Sequence, residues 1–187
     1  MTGKLLTRNV VFQVKVTLAG SEPPIWRRVQ TKDCSLAQLH GLIQHVMGWE
    51  NEHLYQFEVG EDCYTDLNMA PGFDERDAGE TKLRHLVENG HTRMVYLYDF
   101  GDHWEHLVEV EETLPPVPGT RYPCCFDGER SCPPEDCGGI WGYADMLDTL
   151  ADPDHPEREE TLEWVGKKFN PEAFDPAGVN RRLRRAR

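Results

Sequence analysis

The chain has 187 residues, enough for one domain that buries a core without cross-links. Apolar residues make up 39% and charged residues 28%, a balance that excludes a disordered chain and a membrane-spanning one. The formal net charge is -13, which sets the body against phosphate backbones. The last seven residues, RRLRRAR, hold five arginines and leave about -18 on everything before them.

The opening MTGKLLTRNVVFQVKVTLAG lacks the unbroken apolar stretch of a secretory signal, and no apolar run reaches membrane-spanning length. The expectation is a cytoplasmic protein with reduced thiols and no membrane partner. From Phe12 the chain alternates, with Phe12, Val14, Val16 and Leu18 on one face, which predicts a half-buried strand. IWRRVQ predicts a second strand. Ser35 followed by Gln38 forms a capping box for a helix of about 14 residues, with Leu36, Leu39, Ile43 and Val46 on one face. LYQFEV alternates again, so the order is strand, strand, helix, strand.

Between Gly60 and Gly90 the chain turns acidic and rich in Gly and Pro, reading as a surface excursion with a short helix over 81–88. MVYLYD and WEHLVEVEE then predict a long β-hairpin, with Gly101-Asp102 as a two-residue turn in which Gly101 takes the positive φ. Helices are predicted over 141–152, 156–169 and from Pro176, with Asp175 as the last cap. The fold class is α+β: a small antiparallel or mixed sheet with a packed helix, a long hairpin and C-terminal helices. The chain reads as a single domain, 1–187, made of a sheet core (10–113), a Cys/Pro/Gly-rich loop (114–140) and a helical segment (141–187).

Two clusters carry chemistry. The stretch CCFDGERSCPPEDCGG holds four of the six cysteines, at a C-x6-C-x4-C spacing with Cys124 beside the first. A tetrahedral zinc ion needs four ligands, so Cys125, Cys132 and Cys137 with His106 form a candidate set, Cys124 or His103 being substitutes for the last. Zinc is the candidate cofactor. The competing reading is a rigid loop whose cysteines fill apolar gaps, and Glu129, Glu135 and Asp136 argue against an activated thiolate. YDFGDHWEH gathers Asp99, Asp102, His103, Trp104 and His106 near one turn, candidates to line a ligand groove, to hold a divalent metal or to act as acid and base. The simpler reading is a partly buried His106, which strand alternation puts on the side of Trp104, Val108 and Val110, with Asp102 capping the turn. Trp49, Tyr98, Trp104 and Trp141 are candidate aromatic anchors or core residues.

No G-x-S-x-G elbow, phosphate-cradling glycine loop or H-E-x-x-H motif appears. Trp26-Arg27-Arg28 mixes an aromatic with cations, but strand alternation puts the two arginines on opposite faces.

With PPIWRRV, LAQLHGLIQHVMGWENEHLYQFEVG, YLYDFGDHWEH, FDGERSCPPEDCGGIWGYADML and DPDHPER in order, the chain resembles the plasmid pRiA4b ORF-3-like family from about Phe12 to Leu183. The resemblance implies a single α+β domain of bacteria and archaea, sometimes labelled resolvase-like and associated with mobile elements. A resolvase needs a serine or tyrosine nucleophile amid basic residues, a setting this acidic body lacks. Cys125, Cys132 and the PPED-GG loop match the family pattern; Cys137 departs from it, which weakens a three-thiolate site. The expected function is a cytosolic binding or interaction module for a protein or small-molecule ligand, with a candidate metal in the cysteine loop. The alternatives are a metal-dependent hydrolase on the Asp/His hairpin and a nucleic-acid partner reached only through the arginine tail.

Overall fold

A computed structural model describes residues 9–69 and 74–185. Residues 1–8, part of the acidic excursion (70–73) and the last two tail residues lie outside it.

The first hairpin pairs β1 (Val11–Leu18) with β2 (Trp26–Lys32) antiparallel. Its inward side chains are Phe12, Val14, Val16, Leu18 and Val29, all buried as the alternation predicts. Helix α1 (Leu36–Met47) follows. Ser35 accepts the Gln38 backbone N–H while the Gln38 side chain accepts the Ser35 N–H, so the predicted capping box is formed. The helix stops at Gly48, whose φ of 94° suits a residue without Cβ. Leu36, Leu39, Ile43 and Val46 are buried within the same core cluster as the inward residues of the sheet.

Next come β3 (Tyr55–Val59), β4 (Asp62–Thr65), β5 (Arg76–Asp77) and the short helix α2 (Leu83–Glu88). The second long hairpin joins β6 (Arg93–Tyr98) to β7 (Trp104–Leu114). Strand β8 (Cys124–Glu129) precedes α3 (Gly139–Ala151), α4 (Arg158–Val165) and α5 (Pro176–Arg185). The sheet runs β5-β4-β3-β6-β7-β1-β2-β8, parallel only where β4 meets β5. One face is covered by α1. The other carries polar ladders such as Arg28 to Glu111 and Asp127, and Arg93 to Glu109, the pattern of an antiparallel sheet with one wet face.

Three strands depart from the sequence reading. β4 and β5 lie in the expected surface excursion, where they are too short to show a period. β8 occupies the first part of the expected cysteine loop and pairs with β2 through a register shift at Arg28/Val29. Its sequence, CCFDGE, has neither alternation nor β-branched residues, so pairing with β2 and not propensity makes it a strand. The hairpin turn also differs. It spans five residues, 99–103, and the positive φ angles belong to Asp99 (55°) and His103 (56°), not to Gly101. Asp99 supports this turn by accepting the Gly101 N–H on its side chain and the His103 N–H on its carbonyl.

Candidate functional site

At this turn three segments remote in sequence meet. The first is the turn itself, tied to the α1–β3 loop by the Asp99 N–H donating to the Leu54 carbonyl at 2.9 Å. The second is that loop, anchored by Trp49, which stacks on Tyr98 with centroids 5.2 Å apart. The third is the loop between β8 and α3. Trp49 donates its indole N–H to the Pro133 carbonyl at 3.0 Å, and the Gly138 N–H reaches Asp102 Oδ2 at 3.1 Å. Glu135 ties all three together: one oxygen accepts the Tyr98 hydroxyl at 2.6 Å, the other the Glu50 N–H at 2.7 Å. Burial first, and then Glu135, raises the Tyr98 phenol, so it remains a donor.

On this seam His53 Nε2 lies 3.1 Å from Asp136 Oδ1 and 3.8 Å from Asp99 Oδ2. Asp99 is mostly buried, His53 half-buried and Asp136 exposed, so the cluster opens to solvent on one side. Among the described residues this is the group of three or more His, Cys, Asp or Glu side chains whose ligand atoms all lie within 4.8 Å of one another. One imidazole nitrogen and two carboxylates suit a divalent cation of borderline hardness, zinc or manganese.

Of the residues nominated from sequence, Asp99 belongs to the cluster and Asp102 supports it by holding the third segment. His103 is exposed, with Nε2 4.0 Å from Glu105. Trp104 and His106 correct the expectation of a groove lining: both are buried in the core. The five-residue turn and the alternation of β7 point them inward, where His106 packs edge-on against Trp49 at 5.3 Å. Burial pushes the His106 imidazole down to about 4, so it is neutral, with Nδ1 3.1 Å from the Trp104 carbonyl. Trp49 and Tyr98 are core as well, whereas Trp141 is 82% exposed.

The cysteine set does not converge on His106. Cys125 sits on β8 opposite Val29. Cys132 accepts an N–H from Arg27 at 2.9 Å and donates towards Met47 Sδ at 3.5 Å. Cys137 turns to the start of α3, 3.9 Å from the Gly139 carbonyl. Strand pairing holds Cys125 in β8, and Arg27 takes Cys132 as a hydrogen-bond acceptor. Burial raises all three thiols, Cys125 to about 11 and Cys137 to about 12, the latter helped by Asp102 and Asp136. All six cysteines are free. In the arginine tail, Arg181 pairs with Asp175 at 3.2 Å and Arg182 donates to the His45 carbonyl at 2.9 Å.

Sequence reasoning missed His53 and weighed Asp136 only as a charge near thiols. His53 follows the Gly48 cap in a loop without periodicity, so no pattern singled it out. Its proximity to Asp136 depends on loop docking across 83 positions.

The fold and the seam define a class: a mixed antiparallel sheet with one helix-covered face and a polar cluster where its longest hairpin meets two loops. The chain belongs to the plasmid pRiA4b ORF-3-like family, whose model matches residues 10–178. It is 40% identical over 172 residues to the uncharacterized protein y4hQ of Sinorhizobium fredii, covering 91% of this chain and 86% of that one. The crystal structure of a protein of unknown function, MM3350 from Methanosarcina mazei Go1, has the same fold, with a TM-score of 0.85 and 38% identity over 91% of this chain and 98% of that one. Among the described residues no helix is long and apolar enough to cross a membrane.

Proposed function

We propose that the protein is a binding module whose ligand site is the seam and whose ligand is a divalent metal ion held by His53, Asp99 and Asp136. The observation that carries this reading is the convergence of one imidazole and two carboxylates from three loops, which Glu135 and Tyr98 tie together. A cytoplasmic setting fits six unpaired thiols. Hydrolysis is not part of this reading, because, of its candidate acid and base, His103 is exposed on the turn while His106 is neutral and buried in the core. Zinc on Cys125, Cys132 and Cys137 is the rival metal site.

The test is calorimetric titration of chelator-treated protein with Zn2+ and Mn2+. A single site is expected, weakened at least about tenfold in His53→Gln and in Asp136→Asn. Metal that stays bound in His53→Gln and is lost in a Cys125→Ser/Cys132→Ser variant would move the site to the thiols. No binding to either form would overturn the reading.

A further inference from the structure

His53 also lines a second cavity, of about 180 Å3, set against α1 with His40, Asn51, Tyr55, Thr65 and Asp66 on its walls. At roughly 30 Å3 per water, the space holds about six waters, too little for a nucleotide or a drug-sized ligand. Its chemistry is set by which wall atoms are already committed.

His40 is fully committed. Its ring stacks on Tyr55 at 3.7 Å and 8°. The Tyr96 hydroxyl accepts the Gln44 side-chain N–H at 2.9 Å and lies 2.7 Å from His40 Nδ1, so it donates to Nδ1. The ring proton is thereby assigned to Nε2, which donates to Asn51 Oδ1 at 2.5 Å. Burial lowers this imidazole to about 4, so it is a neutral wall with both nitrogens used.

Tyr55 and Asp66 are not fully committed. Tyr55 is 7% exposed; among the described residues its hydroxyl has no hydrogen-bond partner and is not sealed from solvent, while its carbonyl accepts from Thr65 Oγ1 at 2.7 Å. Burial, with Asp66 and Asp77 nearby, pushes the phenol up to about 12, so the hydroxyl keeps its proton and offers its lone pairs. Asp66 Oδ1 accepts the Asn68 backbone and side-chain N–H groups; among the described residues Oδ2 has no hydrogen-bond partner. Among the described residues no lysine or arginine lines the cavity. A negative field with an unused carboxylate oxygen and an unused phenol oxygen calls for a compact cation rich in donors. A primary ammonium has three donors, no acceptor and one positive charge.

We propose that this cavity binds a primary ammonium group, with Asp66 as its counter-ion and the Tyr55 hydroxyl as its hydrogen-bond acceptor. The site does not rest on the metal reading: His53 lines both, but the proposed counter-ion and acceptor, Asp66 and Tyr55, take no part in the seam. A free alkylamine and a lysine side chain present the same group.

The experiment is an NMR titration of chelator-treated protein with n-propylammonium, following the His53 ring and Asn51 side-chain amide signals. Saturable shifts are expected, with affinity at least about fivefold weaker in Asp66→Asn and in Tyr55→Phe. Tyr55→Phe keeps the ring stack, so it separates the hydroxyl from the fold. Metal affinity at the seam should be unchanged in both variants, which keeps the two sites distinguishable. Saturation by Nα-acetyl-lysine methylamide as well as propylammonium extends the site to lysine side chains; saturation by propylammonium alone restricts it to free amines. The proposal fails if neither saturates, if 1-propanol or propionate shifts the same signals equally, or if Asp66→Asn binds as tightly as the parent.

Discussion

Arg27 is the residue on which the loop architecture turns. It is 3% exposed, and all five of its N–H groups are used: Nε donates to the Val46 carbonyl, one Nη to the carbonyls of Trp26 and Glu129, the other to Arg130 and Cys132 Sγ. Its guanidinium thus joins the end of α1 to the end of β8 and the loop beyond. Arg27→Met would fill the space but leave these carbonyls without donors, at a cost of about 3 kcal/mol or more. A urea titration should show the lower midpoint. The buried histidines act through pH instead. His40 and His106 are neutral when folded, near pKa 4, and ordinary, near pKa 6.5, when unfolded. Below pH 6.5 the unfolded chain binds more protons, so stability is complete above that pH and falls as pH drops towards 4. Each ring contributes at most about 3 kcal/mol to this loss. Denaturant unfolding at pH 7, 5.5 and 4.5 measures it, and His106→Gln should flatten the slope.

At the scale of elements, the close approach of α3 to the hairpin turn depends on Gly139. Its φ is 68°, and a Cβ there would collide with the Asp102 carbonyl, just as one at Gly142 would collide with the Cys137 carbonyl. Gly139→Ala is therefore expected to cost about 2 kcal/mol or more and to lift the β8–α3 loop from the turn. The diagnostic readout is metal affinity, which should fall with stability because Asp136 leaves His53; unaltered affinity would show that the loop docks by other contacts. The dipeptide Gly138-Gly139 stands out in the sequence, and glycine pairs let backbone wrap closely. What it wraps against is not legible there, since Asp102 lies 37 positions earlier. Ser35 shows the opposite case: a cap is formed within four residues, so its partners could be read directly.

For the whole molecule, charge decides the partners. The body is strongly acidic, and two of the tail arginines are engaged with Asp175 and the end of α1. Binding of a 20-base DNA oligonucleotide at 150 mM salt is expected to be undetectable by fluorescence anisotropy, and any low-salt binding should vanish in Arg184→Gln/Arg185→Gln. Deleting the tail is a poor test, because Leu183 and Val179 of α5 belong to the core. Detectable binding at 150 mM salt would reopen the nucleic-acid reading.

The sequence by itself determined the local features: the alternation of β1, the capping box and apolar face of α1, the long hairpin, the α+β class and the acidic surface. Each rests on neighbours a few positions apart, where period and capping chemistry leave one low-energy answer. Only the tertiary structure decided which chemically capable residues meet. Strand pairing drew Cys125 into β8, and loop docking brought His53 to Asp99 and Asp136. Those contacts join residues 83 (His53 and Asp136) and 96 (Val29 and Cys125) positions apart through segments without periodicity, so no pattern along the chain encodes them.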